Sequence, residues 1–243
     1  MKKKVAIISG AASGIGKHTA ERFIESDIQV FALDVNQVSI AGVIWYQCDV
    51  SSESEVIKCV EKISEMTDHV DYLINAAGIL CYSGRYRIEE LPLSEWEKLF
   101  EINLKSVFLM TKYVIPLLKK SENGNVINFS SEQVTLIKKK SVPYSITKAA
   151  VEMFTKVVAL ELLENKIRAN TIALASVKTN FIGAYIKNDN MMRDMMEKAE
   201  MDMPFGLIKT DDVYSLIQYL TMENCKVTGQ TLLIDSGVVL NAR

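Results

Sequence analysis

Tyr144 and Lys148 stand four residues apart in Tyr144-Ser145-Ile146-Thr147-Lys148, so a helix would carry a phenol and an ammonium on one face. The pairing has a chemical use. A free phenol has a pKa of about 10. A neighbouring cation favours the phenolate and brings that value toward working pH, where proton transfer is efficient. Pro143, just before the pair, suits the first turn of a helix. Alone the spacing is frequent by chance, so its meaning depends on what else the chain carries.

The second such feature is Ser9-Gly10-Ala11-Ala12-Ser13-Gly14-Ile15-Gly16. It follows an apolar run and opens an amphipathic stretch. Glycines there permit a tight turn, let backbone N–H groups approach a pyrophosphate, and let helix pack close on strand. The helix N-terminus adds partial positive charge toward the phosphates. Asp34 follows Gly16 by 18 residues and ends the next apolar run. A carboxylate placed so can accept both adenosine-ribose hydroxyls and would repel a 2′-phosphate. Neither Ser13 nor Val35 is a Lys or Arg that could receive that phosphate. The expected cofactor is therefore NAD(H), preferred over NADP(H).

Short apolar runs alternate with longer amphipathic stretches along the chain. Lys4–Ser9, Gln29–Asp34, Val43–Cys48, Val70–Asn75, Asn125–Ser130, Ile167–Ile172 and Thr231–Asp235 read as strands. Gly14–Ser26, Glu53–Met66, Ser94–Lys119, Tyr144–Glu164 and Asp211–Met222 read as helices, with Ser94 as N-cap of the longest. Seven apolar strands alternating with helices predict a Rossmann-type α/β fold, a doubly wound parallel sheet covered on both faces. Such a sheet binds ligands beyond the carboxyl ends of its strands, where strand order reverses. About nine residues join the second and third strands, short for a parallel crossover, so at most a turn or two of helix is expected there. The 243 residues are read as one domain, 1–243, and 49% of them are apolar, enough for a large core.

Composition excludes several classes. With 28 Lys and Arg against 30 Asp and Glu, net charge is -2, which does not suggest a partner in nucleic acid or on a membrane surface. Val5–Ile8 is too short for the h-region of a signal peptide, and no stretch reaches the roughly 18 apolar residues of a membrane span. Cys48, Cys59, Cys81 and Cys225 are scattered, and the histidines are His18 and His69. No metal site is expected, and the thiols read as reduced residues of a cytoplasmic protein.

The glycine spacing G-x-x-x-G-x-G resembles that of the short-chain dehydrogenase/reductase family, with Ser9 for the usual Thr. Asp49-Val50 resembles the family's acidic pair facing the adenine. Asn75-Ala76-Ala77-Gly78 resembles Asn-Asn-Ala-Gly at the end of the fourth strand. Ser131, thirteen residues before Tyr144, matches the catalytic Ser. Asn103, in Ile102-Asn103-Leu104 of the long predicted helix, matches the catalytic Asn. Thr228-Gly229-Gln230 and Asp235-Ser236-Gly237 resemble the family's Thr-Gly-Gln and Asp-Gly-Gly, with Ser236 for one Gly.

The resemblance covers the whole chain and implies an NAD-dependent oxidoreductase interconverting a secondary alcohol and a ketone. It implies that Tyr144 exchanges a proton with the substrate oxygen. Lys148 would lower the Tyr pKa and hold the nicotinamide ribose, Ser131 would orient the substrate oxygen, and Asn103 would hold a water linking Lys148 to solvent. Gly10, Ser13, Gly14, Ile15, Gly16, Asp34, Asp49, Val50, Asn75, Ala77, Gly78, Val177 and Thr179 would join Tyr144 and Lys148 in binding the cofactor. It also implies a homotetramer or homodimer built on the long helices.

Two departures stand out. Leu174-Ala175 replaces the family's Pro-Gly in the loop that passes the nicotinamide. That change is the support for an alternative, a catalytically silent NAD-binding regulatory protein. Residues 180–210, with Met191, Met192, Met195, Met196, Met201 and Met203, match least and read as a substrate lid or an amphipathic cover of the core edge. Lys138-Lys139-Lys140, with Arg85 and Arg87, would rim the cleft. They suggest an acidic substrate or, more simply, solvated loops.

Overall fold

A computed structural model describes residues 2–179, 181 and 197–242. Seven parallel strands form its sheet: β1 (Val5–Ser9), β2 (Gln29–Asp34), β3 (Ile44–Gln47), β4 (Tyr72–Asn75), β5 (Asn125–Ser131), β6 (Arg168–Leu174) and β7 (Thr231–Ile234). The spatial order is β3-β2-β1-β4-β5-β6-β7. The order reverses between β1 and β4, whose register pairs Ser9 with Asn75. A cleft must open beyond these strand ends, because the connections leave in opposite directions there.

Both faces of the sheet are covered, and alternation along each strand assigns the sides. Val5 and Ile7 of β1 pack with Phe31 and Leu33 of β2 against α2 (Glu53–Met66), α4 (Ser106–Leu118) and α5 (Val142–Glu161). Ala6 and Ile8 pack with Val30 and Ala32 against α1 (Gly14–Glu25) and α6 (Thr210–Thr221). Central strands are buried throughout, whereas edge strands β3 and β7 are half exposed. The link from β2 to β3 contains no helix, in line with its length.

The long predicted helix Ser94–Lys119 is divided. A first helix, α3 (Leu93–Phe100), runs through a π-turn at Glu101–Lys105 into α4. The N-cap is Pro92, so Ser94 does not cap. Glu95, in the first turn, is instead spent on tertiary bonds: its carboxylate accepts from Tyr82 N and Ser83 N at 2.6 Å each and from Ser83 Oγ at 2.8 Å. Helix α5 begins at Val142, two residues before Tyr144, with Pro143 in its first turn.

Met191, Met192, Met195 and Met196 lie outside the described residues. Met203 is buried in the core under α6, and Met201 is exposed. Among the described residues, no helix is long and apolar enough to cross a membrane, and no group of three His, Cys, Asp or Glu could hold a metal ion.

Candidate active site

A cleft of about 630 Å³ opens at the carboxyl edge of the sheet. That volume is in the range of small-molecule sites. The glycine loop forms one end. Gly10 has φ +70°, and a Cβ there would lie 2.6 Å from Ala77 N. A Cβ on Gly16 would collide with the Gly10 carbonyl oxygen. These glycines let the β1–α1 turn lie against the end of β4 and leave its outer side open. Gly10, Ser13, Gly14 and Ile15 line the cleft, whereas Gly16 packs beneath. Thr179 does not line it, but its Cβ is 3.6 Å from where a Gly14 side chain would begin.

Asp34 forms the next wall. Its carboxylate accepts from Ala12 N at 3.0 Å and Asn36 N at 2.9 Å, so both oxygens are fixed and lone pairs remain. It thereby ties the glycine loop to β2. Asp49 and Val50 line the same end. Asp49 Oδ1 accepts from Ser51 N and Ser51 Oγ. Ala77 and Gly78 follow β4 on the floor. Asn75 does not reach the cleft. It is buried, and its Nδ2 donates to Asn128 Oδ1 at 2.8 Å, pinning β4 to β5.

Tyr144 and Lys148 come from one turn of α5 and share its buried face. The Lys148 ammonium lies 5.7 Å from the centre of the Tyr144 ring and donates to Phe129 O at 3.1 Å. Burial lowers its pKa from 10.5 to about 8, because the charged form is desolvated. At neutral pH it still carries its proton.

Ser131 ends β5 and lines the same region. Its oxygen accepts from Gln133 N at 3.2 Å, an N-cap bond, and its hydroxyl donates to Glu132 Oε2 at 2.7 Å. Ser130 also lines the cleft, and its hydroxyl donates to Glu152 Oε1 at 2.7 Å.

Asn103 lies in the π-turn, is buried and does not line the cleft. Its Oδ1 accepts from Ile79 N at 2.8 Å, and its Nδ2 donates to Ile79 O at 2.9 Å and Thr147 Oγ1 at 3.3 Å. Protein groups thus take both Nδ2 protons and one Oδ1 lone pair, and the second lone pair remains for a water. Gly78 brings these groups together: a Cβ there would be 3.3 Å from Asn103 Oδ1 and 3.6 Å from Lys148 Nζ.

The altered loop runs along the cleft wall. Leu174, Ala175, Ser176 and Val177 all line the cleft, Ala175 N donates to Ile234 O, and Val177 bridges to Ile208.

Among the lysines between Ser131 and Tyr144, Lys138 lines the cleft and is paired with Glu132 at 2.6 Å. Lys139 and Lys140 are exposed and are not in the wall. Arg85 lines the cleft, whereas Arg87 pairs with Glu89 on the surface. The sequence reading missed Glu132, whose adjacency to Ser131 was the available signal. It also missed the apolar wall of Ile79, Leu80, Ile102 and Phe181.

The described site fits a dinucleotide with nicotinamide at one end. The loop permits close backbone approach, a fixed carboxylate stands at the end of β2, and the phenol and ammonium lie at the opposite end. The short chain dehydrogenase model matches residues 4–190. A 3-oxoacyl-[acyl-carrier-protein] reductase of Thermotoga maritima is 30% identical over 98% of both chains. An NAD-dependent glycerol dehydrogenase of Listeria innocua is 29% identical over 98% of this chain and 94% of its own. Among solved structures, ligand-free aldohexose dehydrogenase of Thermoplasma acidophilum superposes with a TM-score of 0.91 at 26% identity, over 98% of this chain and 95% of that one. Other solved neighbours hold NADP in one case and NADH in another. With a matched family model over most of its length and this sheet, cleft and end-to-end likeness, the chain belongs to the short-chain dehydrogenase family.

Proposed function

We propose that this chain interconverts a secondary alcohol and a ketone on a small molecule, by hydride transfer with NAD(H). The observation that carries the reading is the Lys148 ammonium beside the Tyr144 ring, on the wall of a cleft that also holds the glycine loop and Asp34. Bound nicotinamide would supply the hydride acceptor or donor. The protein's part is alignment and proton transfer.

In oxidation, the phenol oxygen of Tyr144 takes the proton from the substrate hydroxyl. In reduction, it returns that proton to the carbonyl oxygen. Lys148 offsets the negative charge that builds on the phenol oxygen and is placed to donate to the nicotinamide ribose. Ser131 orients the bound substrate beside Tyr144. Asn103 acts from behind: it holds the π-turn and the Ile79 backbone against the Lys148 end of the cleft. Gly10, Ser13, Gly14, Ile15 and Thr179 hold the pyrophosphate end, Asp34 the adenosine ribose, Asp49 and Val50 the adenine. Ala77, Gly78 and Val177 hold the nicotinamide half. The whole chain works as one catalytic domain, in a cytoplasm that keeps its four free thiols reduced. Copies pair as a dimer or tetramer through α4 and α5, where Phe108, Met153, Val157 and Leu160 are exposed. A monomer by light scattering would contradict that assembly.

A panel of secondary alcohols and ketones, followed at the NADH absorbance band with NAD or NADP, tests the activity. Turnover of some pair with NAD supports it. NAD binding with no hydride transfer across the panel would favour the silent regulatory reading. Asp34→Ala tests the cofactor preference. Loss of hydrogen bonds to a charged acceptor should raise the NAD Kd about 10–100-fold while NADP gains or holds. If native protein already binds NADP as tightly as NAD by titration, the preference is wrong.

A further inference from the structure

Glu132 stands directly after Ser131, is 4% exposed and lines the cleft. A carboxylate buried so completely requires partners. It has two: Ser131 Oγ donates to Oε2 at 2.7 Å, and Lys138 Nζ donates to Oε1 at 2.6 Å. The ion pair neutralises both charges, so Lys138 no longer argues for an acidic substrate.

The same bonds fix the direction of the Ser131 hydroxyl. Its proton is turned toward Glu132, and one lone pair takes the Gln133 N–H. Both residues line the cleft, and what remains on them is acceptor capacity: the second lone pair of Ser131 and the unused positions of a carboxylate with about four lone-pair sites. A simple alcohol has a single O–H, and in the reading above that proton goes to Tyr144. The acceptors at Ser131 and Glu132 can then take a second donor.

We propose that Glu132 is a specificity-determining residue that selects substrates bearing a second hydroxyl on the carbon next to the reacting one. The vicinal hydroxyl donates to the Ser131–Glu132 pair while the reacting hydroxyl donates to Tyr144. This inference rests on the alcohol–ketone reading and refines its substrate class to vicinal diols, polyols and their hydroxyketones.

The test compares kcat/KM with NAD for matched pairs: propylene glycol against isopropanol, and vicinal cyclohexanediol against cyclohexanol. Native protein should favour the diol about 10–100-fold, the scale of one hydrogen bond to a charged acceptor. Glu132→Gln should bring the two within about 3-fold, chiefly by loss on the diols, since an amide can turn a donor inward. Glu132→Asp keeps the charge that pairs with Lys138 but withdraws it by one methylene, and should lose part of the preference. NAD affinity, measured for each variant, shows that it is folded. Equal kcat/KM on diol and alcohol in native protein overturns the inference and leaves the alcohol–ketone reading standing. So does a diol preference that both variants retain. Absence of turnover on every diol, alcohol and ketone overturns that reading and the inference with it.

Discussion

Tyr144→Phe should lower kcat by about 10²–10⁴-fold, the usual contribution of a positioned acid–base group, with little change in NAD affinity. The ring fills a buried position on α5, and phenylalanine occupies the same volume. Only the proton-transferring oxygen is lost. The cofactor contacts proposed for the glycine loop and Asp34 lie at the other end of the cleft and should be unaffected. Stopped-flow NADH formation together with NAD titration checks both halves. A variant that keeps more than about a third of native kcat would mean another group moves the proton.

Lys148→Met should cost turnover on a similar scale, through loss of the cation that makes the phenol acidic. The pH dependence of native protein reports the same group. With its pKa lowered to about 8, the ammonium is present below that pH and lost above it. kcat/KM for NAD, which reports the free enzyme, should therefore fall as pH rises through about 8.

Stability should move in the opposite direction. An unfolded chain holds the Lys148 proton up to 10.5, so between about 8 and 10.5 the unfolded state binds more protons and stability rises with pH. The burial cost is complete below about 8, on the order of 3 kcal/mol, and fades toward 10.5. Lys148→Met lacks this titration. The difference in unfolding free energy between native protein and variant, measured by denaturant from pH 7 to 10.5, should shift toward native protein by a large part of that amount. A constant difference would contradict the buried ammonium.

The elements that carry local signals were legible in the sequence. Central strands are uniform apolar runs because helices cover both faces, and the glycine loop with Asp34 is legible because its backbone and charge requirements are confined to a few neighbouring residues. The Tyr144–Lys148 face follows from helix periodicity alone. Long-range causes were not legible. The π-turn arises where Asn103 exchanges two hydrogen bonds with Ile79, 24 residues earlier, and no break in apolar periodicity announces it. Ser94 has the chemistry of an N-cap, but the helix starts before it and Glu95 binds the Tyr82–Ser83 backbone. Lys138 read as a free cation because its partner Glu132 becomes apparent only when the loop folds back over Ser131. Asn75 matched a cofactor motif, yet its Nδ2 donates to Asn128 between β4 and β5 and its buried Oδ1 has no partner among the described residues.

In the proposed reaction the reacting end of the cofactor lies against one phenol and one ammonium on α5. A crystal structure with NAD bound tests that placement most directly. It should show ribose hydroxyls on the Asp34 carboxylate, and a nicotinamide ribose hydroxyl within about 2.6–3.2 Å of the Lys148 amine. A nicotinamide turned away from Tyr144 and Lys148, or a cofactor seated outside the glycine loop, would contradict it.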